Sequence, residues 1–163
     1  MYNLNREMSN VQNPSIGAAI LWRFVCGYYS KGKKPVPFPL LFIVLPIIFR
    51  QDLCDVINST QKGSGLTKVS EKLFKTKQND RLYFVHQTAE LQKRLTLESI
   101  NIGIIAHLIA LDMENALIYP LTETRKKGVS ISAKNLLAAA DKLGFWCAGL
   151  TLLEISKLLK VRF

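Results

Sequence analysis

Residues 96–111, TLESINIGIIAHLIAL, decide how the chain is read. After Glu98 no formally charged side chain occurs until Asp112. Leu97, Ile100, Ile104, Leu108 and Leu111 fall on one helical stripe, and Ile102, Ile105 and Ile109 make the neighbouring faces apolar as well. A helix that is apolar nearly all round is buried, in a domain core or a membrane. This stretch is shorter than the roughly 20 residues that a membrane span needs. It therefore reads as a core helix, with Thr96 as its N-cap. Residues 116–122 (ALIYPLT) and 129–132 (VSIS) flank a polar basic tip, ETRKKG, and read as a β-hairpin. Buried helix followed by basic hairpin is the order found in a winged helix.

Working towards the N-terminus, a helix at about 80–95 carries Leu82, Val85, Ala89 and Leu91 inward, and a shorter one covers 66–74 (LTKVSEKLF). With 96–111 these give the three helices of a winged-helix-like unit over 66–131. The polar run NSTQKGSG at 58–65 is a loop. Residues 35–49, PVPFPLLFIVLPIIF, are the most apolar run in the chain. Four prolines, the short length and the Arg50-Gln51-Asp52 that follows favour a buried segment over a membrane anchor. Pro46 should break or kink it, leaving a second piece with Ile47, Ile48, Leu53, Val56 and Ile57. Asn13-Pro14 is a helix start, N-cap then proline at the first helical position, for a helix to about Tyr29. Residues 1–12 are polar and read as a loose arm. Towards the C-terminus, 132–159 has helical spacing, and Gly144 and Gly149 predict two helices or one bent one. The expected fold is thus mainly α: an arm at 1–12, then one domain over 13–163. That domain comprises N-terminal helices (13–57), the winged-helix-like unit (66–131) and C-terminal helices (132–163).

Apolar residues make up 48% of the 163, enough for a core. The net charge of +10, from 22 basic and 12 acidic residues, favours a polyanionic or acidic partner. Cys26, Cys54 and Cys147 are odd in number and far apart, which suits buried thiols in a reducing cytoplasm. The first thirteen residues lack the apolar centre of a signal peptide.

Catalytic patterns are sparse. His86 and His107 stand in no HxxxH or HExxH arrangement, and His107 inside the apolar stretch reads as a core histidine. GSGLTK at 63–68 lacks the spacing of a phosphate-binding loop. The expectation is a non-enzyme without metal or cofactor. Basic residues are more suggestive. Lys62, Lys68, Lys72, Lys75 and Lys77 crowd one loop and helix, and Arg125, Lys126 and Lys127 crown the hairpin tip. On a winged helix they would neutralise phosphates on either side of a duplex; the alternative is a solubilising surface. The apolar helix offers few polar groups to base edges, so any DNA contact would be backbone-directed. Phe145-Trp146 and the closing Lys160, Val161, Arg162 and Phe163 read as partner surface, with core packing the competing reading for Trp146.

NPSIGAAILWRF (13–24), PFPLLFIVLPIIF (37–49), the polar loop before Gly65-Leu66-Thr67, and LGFW (143–146) leading to LKVRF (159–163) occur in this order. Together they resemble the middle component of ABC three-component systems, the small subunits encoded beside an SMC-like or Rad50-like coiled-coil ATPase and an effector. Lamassu anti-phage defence, with its LmuC subunit, is one such system. The resemblance implies a cytoplasmic accessory subunit that bridges the ATPase to an effector, commonly a nuclease, and holds it inactive until foreign DNA is sensed. The rival expectations are a free-standing winged-helix DNA binder and a membrane-associated protein using 35–49.

Overall fold

The computed structural model describes the backbone of residues 13–75, 80–123 and 131–163. Its centre is not 96–111 but the first helix, α1 (Pro14–Gly32). The Asn13 side chain accepts from the amides of Ser15 (2.9 Å) and Ile16 (3.4 Å), and proline occupies the first helical position. Every residue from Leu21 to Tyr28 is buried. A helix enclosed on all sides has no solvent face to keep polar; even its Arg23 is covered.

Residues 35–49 form a chain of short pieces. Strand β1 (Val36–Pro37) leads into a 3₁₀ segment (Phe38–Ile43) and then α2 (Val44–Ile48), with Val36, Leu40, Leu41 and 43–48 all buried. Pro46 does not interrupt α2, because it stands in the first turn, where an amide has no intrahelical partner to lose. The break comes at Phe49 and Arg50, before α3 (Gln51–Ser59). No helix among the described residues is long and apolar enough to cross a membrane. A 3₁₀ turn (Lys62–Ser64) precedes α4 (Gly65–Lys75), which is followed by α5 (Asp80–Leu91).

The decisive stretch divides. Helix α6 (Lys93–Ile105) starts before Thr96, which is interior and buried, and it ends before Leu108. His107, left-handed at φ 55°, turns the chain into β2 (Ile109–Asp112). The hairpin therefore pairs β2 with β3 (Leu117–Pro120) in antiparallel register, Leu111 opposite Ile118 and Ile109 opposite Pro120. Asp112 closes the turn, accepting from the amides of Glu114 (3.0 Å) and Asn115 (3.2 Å) and from Asn115 Nδ2 (2.8 Å). Strand β1 adds to the other edge of β3, giving the sheet order β1-β3-β2. The expected second strand at 129–132 is corrected at its end, since Ile131 begins a helix; residues 124–130 lie outside the described part. Mainly α is what the fold is, but the hairpin sits one strand earlier than in the winged-helix arrangement, and its basic tip is not its turn.

Helices α7 (Ile131–Cys147) and α8 (Leu152–Leu159) close the domain. The division falls at 148–151; Gly144 does not bend α7. It is where α7 meets α1. A Cβ at Gly144 would collide with Phe24 O and Tyr28 N, and one at Gly27 with Asp141 O. Two glycines facing each other let the helix backbones touch. Beside this crossing, Arg23 Nη2 and Asp141 Oδ1 pair at 2.6 Å.

Candidate partner-docking surface

The inner face of α6 carries small and hydroxylic side chains. Thr96, Ser99, Ile100 and Gly103 are buried. The Thr96 and Ser99 hydroxyls find no hydrogen-bond partner among the described residues. Helix α1 approaches so closely at Gly17 that a Cβ there would strike Ser99 Oγ, and one at Gly103 would press on Ile109. Ile100 is the one bulky side chain buried on this face, and other bulky residues of the helix lie outside it. Leu97 is 46% and Ile105 68% exposed, two helical turns apart on the outer face. Met113 (85%) and Leu121 (54%) add exposed apolar groups on the neighbouring hairpin. Ile104, Leu108 and Leu111, expected in the core of one helix, are half-buried on three different segments. His107 is likewise not a core histidine but an exposed turn residue.

The terminal residues split in two. Trp146 is buried and its indole donates to Lys62 O at 2.7 Å, so its ring packs in the chain's own core. Val161 is also buried, and Ser156 Oγ donates to Val161 O at 2.5 Å, tying the tail back to α8. Lys160 is the left-handed residue that ends α8, its amide bonded to Ser156 O. Arg162 and Phe163 are exposed and, with Phe38, Phe42, His86, Glu90 and Lys93, line a cleft of about 320 Å³. Sequence reasoning assigned the tail to a surface without Phe38 and Phe42, because 38–42 and 161–163 are joined only by folding.

The basic residues fare unequally. Lys68 pairs with Glu71 at 3.2 Å. Lys72 Nζ donates to Thr60 Oγ1 (2.9 Å) and Ser59 O (3.5 Å), and Lys142 Nζ to Asn58 O (2.8 Å) and Thr60 O (3.0 Å). These two cations satisfy the carbonyl end of α3, where a positive charge is favoured. The side chain of Lys75, and Lys77, Arg125, Lys126 and Lys127, lie outside the described residues.

Nothing in the described chain resembles a reactive centre. No group of His, Cys, Asp and Glu among the described residues is arranged to hold a metal. All three cysteines are free and buried. Burial pushes the Cys26 and Cys54 thiols up to about 11 and Cys147 up to about 12, far from the thiolate form at neutral pH.

The described residues thus combine tightly filled helix seams, buried thiols and apolar side chains turned outward. The family model described as ABC-three component (ABC-3C) system Middle Component 3 matches residues 1–163. The chain belongs to this family. No curated protein and no solved structure matches it. The family places this middle component in a system with an ABC ATPase and an effector, and suggests an accessory role.

Proposed function

We propose that this middle component is the non-catalytic bridge of its system, joining an SMC-like ATPase to a nuclease-type effector and restraining that effector until the ATPase engages foreign DNA. The single observation behind this is the inverted face of α6: Leu97 and Ile105 point out while Thr96 and Ser99 point in. Apolar side chains two helical turns apart on one face, with the Arg94–Glu98 pair (2.8 Å) at their flank, suit the apolar stripe of a partner helix. The exposed pair Arg162 and Phe163 offers a second contact, of residue types enriched in protein–protein interfaces.

Co-expression with the ATPase and effector encoded beside it tests the reading. Leu97→Glu/Ile105→Glu should abolish co-purification of one partner while the chain keeps its melting temperature. Hot-spot losses of about 2 kcal/mol per residue correspond to at least about thirtyfold weaker binding. Unchanged co-purification of both partners with that variant would remove the α6 face from the assembly. Helix α7 begins at Ile131, within the strand expected at 129–132 for the winged-helix alternative.

A further inference from the structure

We propose that Lys31 and Lys62, both over the Phe145 ring, together with the exposed Lys34 three residues after Lys31, form a binding site for the phosphodiester backbone of nucleic acid. The site is assembled from three elements. Lys31 comes from the last turn of α1, Lys62 from the 3₁₀ turn before α4, and Phe145 from α7. Lys31 Nζ lies 5.1 Å and Lys62 Nζ 4.5 Å from the centroid of the Phe145 ring. The two ammoniums are therefore no more than about 10 Å apart, a span over which a duplex presents about six phosphate charges.

Among the described residues, local carboxylates are too few to balance these cations. Asp141 Oδ2 meets Lys62 at 3.2 Å, but its Oδ1 is already held by Arg23. Glu123 is taken by Lys33 at 3.6 Å, and Lys33 also lies 5.1 Å from the Tyr29 ring. Lys31 and Lys34 are exposed. Gly149 keeps room for Lys31, whose Nζ a Cβ there would meet. Each ring contact restrains a long side chain that would otherwise lose rotamer freedom on binding. Phe145 is half-buried, with both ammoniums over its ring. The contact is to phosphates and carries no sequence information. Lysine is depleted in the cores of protein–protein interfaces, which favours a polyanion over an acidic protein segment. The site does not use the α6 face and stands independently of the bridging role.

The test uses the full chain and fluorescein-labelled 30-base duplex and single-stranded DNA of mixed sequence, titrated by anisotropy from 50 to 200 mM salt. Lys31→Gln/Lys62→Gln should weaken binding and make log K against log salt shallower by about 1.8, or about tenfold less salt loss across that range. Arg23 keeps its bond to Asp141 in that variant. Lys31→Gln/Lys34→Gln, which removes no carboxylate pair, should weaken binding as well. Lys134→Gln/Lys157→Gln removes the same charge elsewhere and should leave the slope nearly unchanged. A preference for duplex or single strand identifies the source of the backbone. Equal slopes for patch and control variants, or binding to polyglutamate but to neither DNA, would overturn the proposal.

Discussion

Gly144→Ala probes the contact on which the fold turns. In an exposed helix interior the change would stabilise by about 1 kcal/mol, because alanine loses less backbone entropy than glycine. Here the added methyl lands on Phe24 O and Tyr28 N, the i and i+4 partners of a backbone hydrogen bond in α1. Neither atom is the end of a flexible side chain, so relief requires the two helices to move apart. Overpacking costs about 1–3 kcal/mol, and a backbone collision belongs at the upper end. The net expectation is a loss of about 2 kcal/mol, or a melting temperature about 4–8 °C lower for a chain of this length. Gly32→Ala supplies the internal control. It ends the same helix with nothing near its added Cβ, so it should be neutral or slightly stabilising. Both are read by thermal and urea unfolding followed by circular dichroism. If Gly144→Ala melts at or above the parent temperature, α1 and α7 do not touch backbone to backbone, and the account of the crossing fails.

Other outcomes follow from single contacts. Asp141→Asn removes the charge that compensates the covered Arg23 and should destabilise by about 3 kcal/mol, whereas Arg23→Met should cost less because Asp141 retains Lys62; urea midpoints compare them. Asn13→Ala deletes the acceptor for two amides at the start of α1 and should cost about 1 kcal/mol, read by thermal melting. The buried thiols impose a pH dependence. From their ordinary value of 9.0 up to about 11, the folded chain holds protons on Cys26 and Cys54 that the unfolded chain releases. Stability is therefore full below pH 9 and falls as pH rises towards 11, and Cys→Ala variants at both positions should flatten that decline. In the folded protein at pH 7.5, iodoacetamide should modify none of the three thiols over a time that labels the denatured chain fully, as mass spectrometry would report.

Part of this architecture was legible in the residues because the signals are local. Asn13-Pro14 marks the start of α1 through its own side-chain geometry. The break between α3 and α4, narrower at 60–64 than the loop expected over 58–65, and the division between α7 and α8 follow from runs of polar and small residues. The hairpin was misplaced because ALIYPLT had two possible neighbours, and its partner IALD is as apolar as the helix before it. Hydropathy does not distinguish a strand from the last turn of a helix when both are buried; His107 in the left-handed conformation does.

By itself the sequence determined a mainly helical domain, the start of its first helix, its cationic balance and thiols without a catalytic setting, since each depends on neighbours along the chain or on composition. The tertiary structure decided which apolar helix is central and which way α6 faces. Close approach at Gly17, Gly27 and Gly144 sets how near the helices come, and steric exclusion at that distance overrides hydropathy: hydroxyls go inward, Leu97 and Ile105 outward. It also brought Lys31, Lys62 and Phe145 together, a juxtaposition across three elements that no linear pattern encodes.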